Sequence, residues 1–240
     1  MDMYKVLLVL IFSFVIALPA SASVGGRQLA HGEVPDGHEP MRMTQEQIRV
    51  FQEKRNAALQ SIREHKDAFH EAMEKRMGEF ERTKEIKRGE LQKRLTAIKD
   101  ERKKQIVVRL YENINTFNKN RVTHFGAVAD RLEEIVGNIK SRTEKAAGHS
   151  LNVNAVRLKI TEAENVIASA RAAIETQAAK IYTPVITTEA QVRLEMEKIR
   201  QTAHADLTKV RDALQAAHSN VRDAAVELGK INGVDDAEIQ

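Results

Sequence analysis

Four isoleucines spaced one heptad apart constrain this chain more than any other feature. They recur at every seventh position, at Ile160, Ile167, Ile174 and Ile181. The complementary positions hold smaller apolar residues, namely Val156, Ala163 and Ala170. An apolar residue at about every 3.5 positions forms a continuous seam along one side of a helix. A lone helix would leave this seam in water, so the sequence predicts partner helices that cover it.

The composition favours long helices and excludes several kinds of site. Of the 240 residues, 30% are charged, 4% are aromatic and none is cysteine. This balance is typical of coiled coils and long helices. Without cysteine the chain has no disulfide, no lipidated cysteine and no thiolate metal site. The formal charge of +4 permits weak contact with anionic polymers or membranes but does not require it.

The first residues have the pattern of a signal peptide. Lys5 precedes an apolar run over residues 6–18, and Pro19 is followed by Ala20-Ser21-Ala22. We expect cleavage after Ala22 and export to the periplasm, the cell surface or the medium. The run is short for a membrane span, and an uncleaved anchor is the alternative. In both cases the body of the protein lies outside the cytoplasmic membrane.

Residues 23–43 are rich in glycine and proline, which predicts a flexible linker. Two histidines and two carboxylates stand in this segment: His31, Glu33, Asp36 and His38. They could close on copper or zinc, but their spacing fixes no coordination geometry. A solvated linker is the simpler interpretation.

Residues 44–103 predict a charged helical arm. Thr44 and Gln47 fit a capping box. A thin apolar stripe follows, comprising Ile48, Phe51, Ala58, Ile62, Phe69, Met73, Met77 and Phe80. Dense charges of both signs surround the stripe and support an exposed helix. The arm either continues as one helix over residues 44–147 or breaks near Gly78 or Gly89, because glycine weakens a helix.

Residues 104–232 predict three helices, at about 104–147, 154–182 and 188–231, followed by a frayed tail at 233–240. The first helix carries Leu110, Ile114 and Phe117 and then slips its frame by four residues to Phe125. The third helix has its own seam, formed by Leu207, Leu214, Val221 and Leu228. Short connections make neighbouring helices antiparallel. The predicted fold is all-α: an antiparallel three-helix coiled-coil bundle with a long charged N-terminal helical arm.

The helix ends carry recognisable signals. Gly148 is expected to form a left-handed C-cap after a basic last turn. Asn152 or Asn154 is expected to cap the second bundle helix, and Thr188 with Gln191 fits a second capping box.

The sequence contains no arrangement of residues that predicts catalysis, a cofactor or a metal ion. His70 and Glu74 could share an ion, but no third ligand follows in register. His124 lies where the frame slips, which indicates a packing role, with pH sensing as the alternative. One basic cluster stands out, formed by Lys93, Arg94, Lys99, Arg102, Lys103 and Lys104. It is either a solvated helix face or a contact for an anionic lipid or polymer; no interleaved aromatic residues indicate nucleic-acid binding.

The stretch from Leu91 to Ile231 resembles a family of uncharacterised secreted coiled-coil proteins from small-genome uncultivated bacteria. The residues that carry the resemblance are Thr123-His124-Phe125, Arg131 to Ile135, Lys180 to Pro184, Ala203 to Leu207 and Val210-Arg211-Asp212. The resemblance implies an exported helical protein with a modular arm, and it brings no activity to this chain. The arm is also similar in composition to that of periplasmic trimeric holdase chaperones, although the strand-rich body of those proteins has no counterpart here.

Three functional hypotheses follow, none of them enzymatic. The first is a non-catalytic structural or protein-interaction module of the envelope or cell surface, with a protein partner and the option of self-association through the arm. The second is a holdase for unfolded exported proteins, based on the Phe and Met stripe of the arm. The third is peripheral binding of anionic lipid or polymer through the basic cluster.

Overall fold

The computed structural model describes residues 44–231 of the chain. Within this range the protein is all-helical and contains no strand. It has four α-helices and one 3-10 turn: α1 at Gln45–Leu95, α2 at Glu101–Gly148, α3 at Asn154–Ala178, the turn at Glu189–Gln191, and α4 at Val192–Gly229. The predicted signal peptide, linker and frayed tail lie outside the described residues, as do the histidines and carboxylates of the linker.

The predicted capping box at the start of α1 is confirmed. The Thr44 hydroxyl accepts a hydrogen bond from the Gln47 amide at 3.2 Å, and the Gln47 side chain accepts one from the Thr44 amide at 2.8 Å. The helix then runs through Gly78 and Gly89 without a break. The expected break near these glycines is therefore wrong, and so is the alternative of one helix over residues 44–147, because α1 ends at Leu95.

The chain instead turns between Leu95 and Glu101. The Thr96 hydroxyl donates to the Lys93 carbonyl, and the Asp100 side chain caps α2 by accepting from the amides of Arg102 and Lys103. Ile98, inside the turn, is only 1% exposed. A capping aspartate and a buried isoleucine therefore define the turn, whereas the glycines continue the helix.

α1 folds back along α2, which differs from the predicted arm projecting from a bundle. Lys66 contacts Glu134 at 2.8 Å, and Lys119 contacts Glu81 further along both helices, so the two helices run antiparallel. The apolar stripe explains the docking, because Phe69 and Phe80 are buried. Burying an aromatic side chain stabilises by about 1.5–3 kcal/mol relative to leaving it in water.

The other helices pack beside each other in the order of the sequence. Lys140 of α2 binds Glu164 of α3, and Glu144 binds Arg157. Lys180, just after α3, binds Asp206 of α4. α2 and α3 therefore run antiparallel, and four helices pack together in the described part of the chain.

Several predicted helix ends differ from the structure. Gly148 is the last residue of α2 in ordinary helical geometry, and the left-handed residue is Ser150, with φ of 60°. Asn152 accepts a hydrogen bond from the Asn154 amide, but the N-cap of α3 is Val153. The box expected at Thr188 does not form, because Gln191 accepts from the Thr187 hydroxyl instead.

The buried apolar side chains form two clusters. The larger one runs along α2, α3 and α4 and includes Phe69 of α1. The smaller one lies at the α1–α2 turn, where Leu91, Leu95 and Ile98 meet the start of α4. The smaller cluster holds the turn against α4. The part of α1 from Phe69 to Leu95 is therefore packed against the core at both of its ends.

Candidate functional site

Most of the predicted seam residues lie in the larger core cluster. Seven of them are buried there: Ile160, Ile167, Ile174, Leu207, Leu214, Val221 and Leu228. Ile181 lies beyond the end of α3 and packs, partly buried, against the smaller cluster. The seam of the larger cluster thus ends with Ile174, and Ile181 belongs to the cluster at the α1–α2 turn.

The expected core frame of α2 is wrong over one stretch. Phe117 is 48% exposed and Leu110 is 36% exposed, whereas Asn115 and Asn118 are buried. Val107, Tyr111, Asn115, Asn118 and Val122 keep the spacing of three and four residues, so the core row passes through two asparagines.

The two asparagines bind the segment that follows α3. Asn115 accepts from the Tyr182 amide at 2.9 Å and donates to the Tyr182 carbonyl at 3.1 Å. Asn118 donates to the Lys180 carbonyl at 3.1 Å. Because these side chains satisfy the backbone of residues 180–182, the chain does not need to remain helical there. This explains why α3 ends at Ala178 and not at the predicted residue 182.

A buried polar chain crosses the bundle at the same level. The Gln177 amide donates to Asn118 and to the Tyr182 hydroxyl, both at 2.7 Å. The Tyr182 hydroxyl in turn donates to Asp206 of α4 at 3.1 Å. Burial raises the pKa of Tyr182, so its hydroxyl stays a donor at all physiological pH values. The network links α2, α3 and α4. Any other register of these helices would leave its buried polar groups without partners.

A charged cluster links α1, α2 and α3. Arg171 of α3 is buried and binds Asp130 at 2.8 Å and Glu133 at 2.6 Å. Its guanidinium also lies 4.7 Å from the centre of the Phe69 ring of α1. His70 of α1 approaches the second Asp130 oxygen at 3.0 Å. His65 lies 3.8 Å from Glu133, so two histidines stand near the two carboxylates. Both carboxylates are already bound by Arg171.

Two glycines of α2 lie against α1, and at one of them, Gly137, an added side chain would meet α1 too closely. An added Cβ at Gly137 would lie 2.5 Å from Cδ1 of Ile62, and one at Gly126 would lie 3.6 Å from the Phe69 ring. Glycine inside a helix costs about 1 kcal/mol relative to alanine. An alanine at position 137 would therefore require the end of the Ile62 side chain to move. Two glycines eleven residues apart in a predicted helix were the signal in the sequence.

The structure brings the basic cluster together at the α1–α2 turn. Lys103 binds Glu189, and Lys104 binds Glu101. The contact with Glu189 raises the pKa of Lys103. The other four cations are exposed and form no ion pair within residues 44–231: Lys93, Arg94, Lys99 and Arg102. One end of the described helices therefore carries unpaired positive charge.

A cavity of about 310 Å³ lies between the C-terminal parts of α2 and α4. Its lining combines apolar and polar side chains, among them Ile135, Asn138 and Arg142 of α2 and Ala225 and Gly229 of α4. These contacts show which sides of the two helices face each other.

Residues 44–231 contain neither a helix suited to crossing a bilayer nor a group of three or more metal-binding side chains. In comparisons with known proteins, no family model, no curated protein and no solved structure matches this chain.

Proposed function

We propose that the chain is a non-catalytic exported protein that serves as a structural or protein-interaction module of the envelope or cell surface. The proposal rests on how the helices use their side chains. The apolar rows of α2, α3 and α4 recur every three or four residues and are buried against one another. This repeat supports an antiparallel three-helix coiled coil as the rigid element, with α1 packed along it.

The buried polar groups support the same proposal. Asn115, Asn118, Gln177 and Tyr182 bind one another or the backbone, and Arg171 binds Asp130 and Glu133. Paired polar groups of this kind fix the register of a bundle. Because the buried Nε of Arg171 makes no hydrogen bond within residues 44–231, the asparagine network carries this argument. At 1.5 Å per residue, the 51 residues of α1 extend for about 77 Å, a length suited to a spacer.

The export step has a direct test. Residues 1–22 are fused to an alkaline phosphatase that is active only outside the cytoplasm. We expect activity with the natural segment and loss of activity when Leu8 is replaced by arginine, because a charge in the apolar run blocks insertion. An inactive fusion with the natural segment would refute export.

Binding of anionic lipid or polymer is a second candidate, favoured by the four unpaired cations at the turn. Sedimentation with phosphatidylglycerol vesicles tests it. We expect binding that weakens with salt and that is lost when Lys93, Arg94, Lys99 and Arg102 are replaced by glutamine. A vesicle affinity that does not change with salt concentration would refute an electrostatic contact.

A holdase role would require α1 to leave its docked position, because Phe69 and Phe80 of its apolar stripe are buried. Cysteines at Lys66 and Glu134, joined by a short bismaleimide, would hold α1 in place. A holdase should lose its suppression of client aggregation when linked and keep it when the cysteines are only capped.

A further inference from the structure

The side of α2 that faces α4 carries two rows of exposed residues. From Asn115 to Ala146 one row of buried positions of α2 alternates by three and four residues, so residues one heptad apart share a side. The rows are every seventh residue from Phe117 to Asn138 and from Arg121 to Arg142. They contain three arginines, one histidine and the exposed apolar residues Phe117 and Ile135, and no carboxylate.

The side of α4 that faces α2 also carries basic residues and no carboxylate. Its buried positions alternate regularly from Ala203 to Leu228. The corresponding rows are every seventh residue from His204 to Ala225 and from Thr208 to Gly229. They contain basic residues and no carboxylate: His204, Arg211, His218 and Arg222.

The α2 and α4 rows border one groove. At its far end the two helices line the cavity described above, with Ile135 and Asn138 opposite Ala225 and Gly229. The other sides of these helices face different neighbours, because Asp130 of α2 binds Arg171 of α3. From Phe117 to Arg142 the groove is about 38 Å long at 1.5 Å per residue.

The groove has a partly apolar floor and positively charged walls. Val128 packs against the core, and the Arg121 guanidinium stacks over the exposed Phe117 ring at 5.1 Å. Arg121, Arg131 and Arg222 form no salt bridge within residues 44–231, although the charge of Arg131 helps to lower the pKa of Glu134. Unpaired guanidinium groups beside apolar side chains fit a partner with carboxylates flanking an apolar stripe.

The same molecule has a helix in an equivalent position. α1 lies along α2 and reaches α3 through the contact of Phe69 with Arg171, so it covers the α2–α3 side. The α2–α4 side has no such cover within the described residues. We propose that the α2–α4 groove docks an acidic amphipathic helix of a partner protein. This inference rests on the proposed function and names the surface that performs it.

The geometry favours a rod-shaped partner over a flat membrane. The ridges beside the groove carry Glu134 on α2 and Asp212 on α4, both exposed. A flat bilayer would meet these ridges, where Glu134 is paired with Lys66 and Asp212 with Arg211, before it reached the arginines of the groove. A helix in the groove would pass between the ridges and contact the arginines.

The test uses the full chain and a synthetic helix of about 28 residues, about 42 Å long. The peptide has leucine at its seam positions and glutamate beside them, and a second peptide has lysine in place of glutamate. Fluorescence anisotropy at about 0.1 M salt measures binding. We expect the acidic peptide to bind and the basic peptide not to bind.

Two charge-matched variants locate the site. The groove variant carries Arg121→Glu, Arg131→Glu and Arg222→Glu. The control carries Arg55→Glu, Arg63→Glu and Arg82→Glu, which change three exposed arginines of α1. The groove variant should bind the acidic peptide at least about tenfold more weakly, and the control should change affinity less than about threefold. Circular dichroism checks that both variants remain helical.

The experiment separates failure of the groove proposal from failure of the export proposal. Equal losses in both variants, or no binding by the natural chain, would overturn the groove proposal. Binding of anionic vesicles that depends on the three groove arginines, without peptide binding, would also overturn it in favour of a membrane contact. An inactive phosphatase fusion combined with groove-dependent peptide binding would refute export and leave the groove standing.

Discussion

At the scale of single residues, Arg171 links three helices. It is buried, binds two buried carboxylates and stacks on an aromatic ring of a third helix. Removing one partner of a buried ion pair leaves uncompensated charge and costs about 3–5 kcal/mol. We expect Arg171→Met to destabilise the protein by this amount in urea unfolding.

The control for Arg171 is an exposed pair. Arg211 binds Asp212 at 2.8 Å on the surface of α4. Exposed pairs contribute at most about 1 kcal/mol. Arg211→Met should therefore leave the unfolding midpoint almost unchanged, and similar losses from both variants would contradict the role assigned to the buried cluster.

Asn115 gives a second prediction at this scale. Asn115→Ala removes the side chain that satisfies both backbone groups of Tyr182. A buried group without a partner costs about 1–3 kcal/mol, so we expect a loss of at least that size. Asn113→Ala on the exposed face of α2 is the matched control in the same unfolding experiment. An equal effect of the two changes would count against the network.

Asn115 also marks where reasoning from the sequence fails. The burial of Ile160 and Ile167 was predictable, because apolar residues at heptad spacing are stable only in the seam between helices. Asn115 and Asn118 were not, since a polar residue indicates a core position only when its partners are known. Their partners come from residues 177–182, about 60 positions away, which no local pattern connects.

At the scale of the helix, two glycines differ in their surroundings: Gly78 of α1 has open space around it, whereas Gly137 of α2 faces Ile62 of α1. Gly78→Ala should stabilise the protein by about 0.5–1 kcal/mol, because nothing lies within 4 Å and alanine favours helix. Gly137→Ala meets Cδ1 of Ile62 at 2.5 Å, so we expect it to be less stable than Gly78→Ala by about 1 kcal/mol.

The pair Gly137 and Ile62 allows an internal check. Ile62→Val removes the atom that an added Cβ would meet. In that background Gly137→Ala should recover its stabilising effect, which a double-mutant cycle measures as coupling. Absence of coupling would mean that α1 does not approach α2 at Gly137.

The position of the α1–α2 turn shows the limit of prediction for helices. The Thr44 capping box was predictable because hydroxyl and amide stand at fixed spacing. The turn at residues 96–100 was not, since the glycines at 78 and 89 are the stronger local signals. Burial of Ile98 and Leu95 against α4 outweighs those signals, and this packing is visible only after the chain has folded back.

At the scale of the whole molecule, the docked α1 predicts a single-chain particle. Phe69 and Phe80, which would otherwise drive association through the arm, are covered by the same chain. We expect light scattering on residues 23–240 to give the mass of one chain. Deleting residues 44–95 should uncover the side of α2 that α1 covers. We expect the shortened chains to associate, so that the particle has the mass of more than one chain. A dimer that becomes a monomer on this deletion would assign self-association to α1.

The contact of α1 with α2 should also weaken in acid. Hydrogen bonds from Lys119 and Lys84 lower the pKa of Glu81, and one from Lys66 lowers that of Glu134. A carboxyl group whose pKa is lower in the folded state contributes stability that is present above its ordinary value of 4.5. That contribution is lost as the pH falls below this value through the folded pKa.

Hydrogen exchange of α1, corrected for intrinsic rates, measures this weakening as faster opening at acid pH. Glu81→Gln with Glu134→Gln should reduce the dependence on pH, because neither amide titrates. Glu197→Gln is the matched control: Arg200 lowers the pKa of Glu197 in the same way, but both residues lie within α4. If Glu197→Gln altered the opening of α1 as much as the double change, the acid response would belong to the molecule as a whole rather than to the α1–α2 contact.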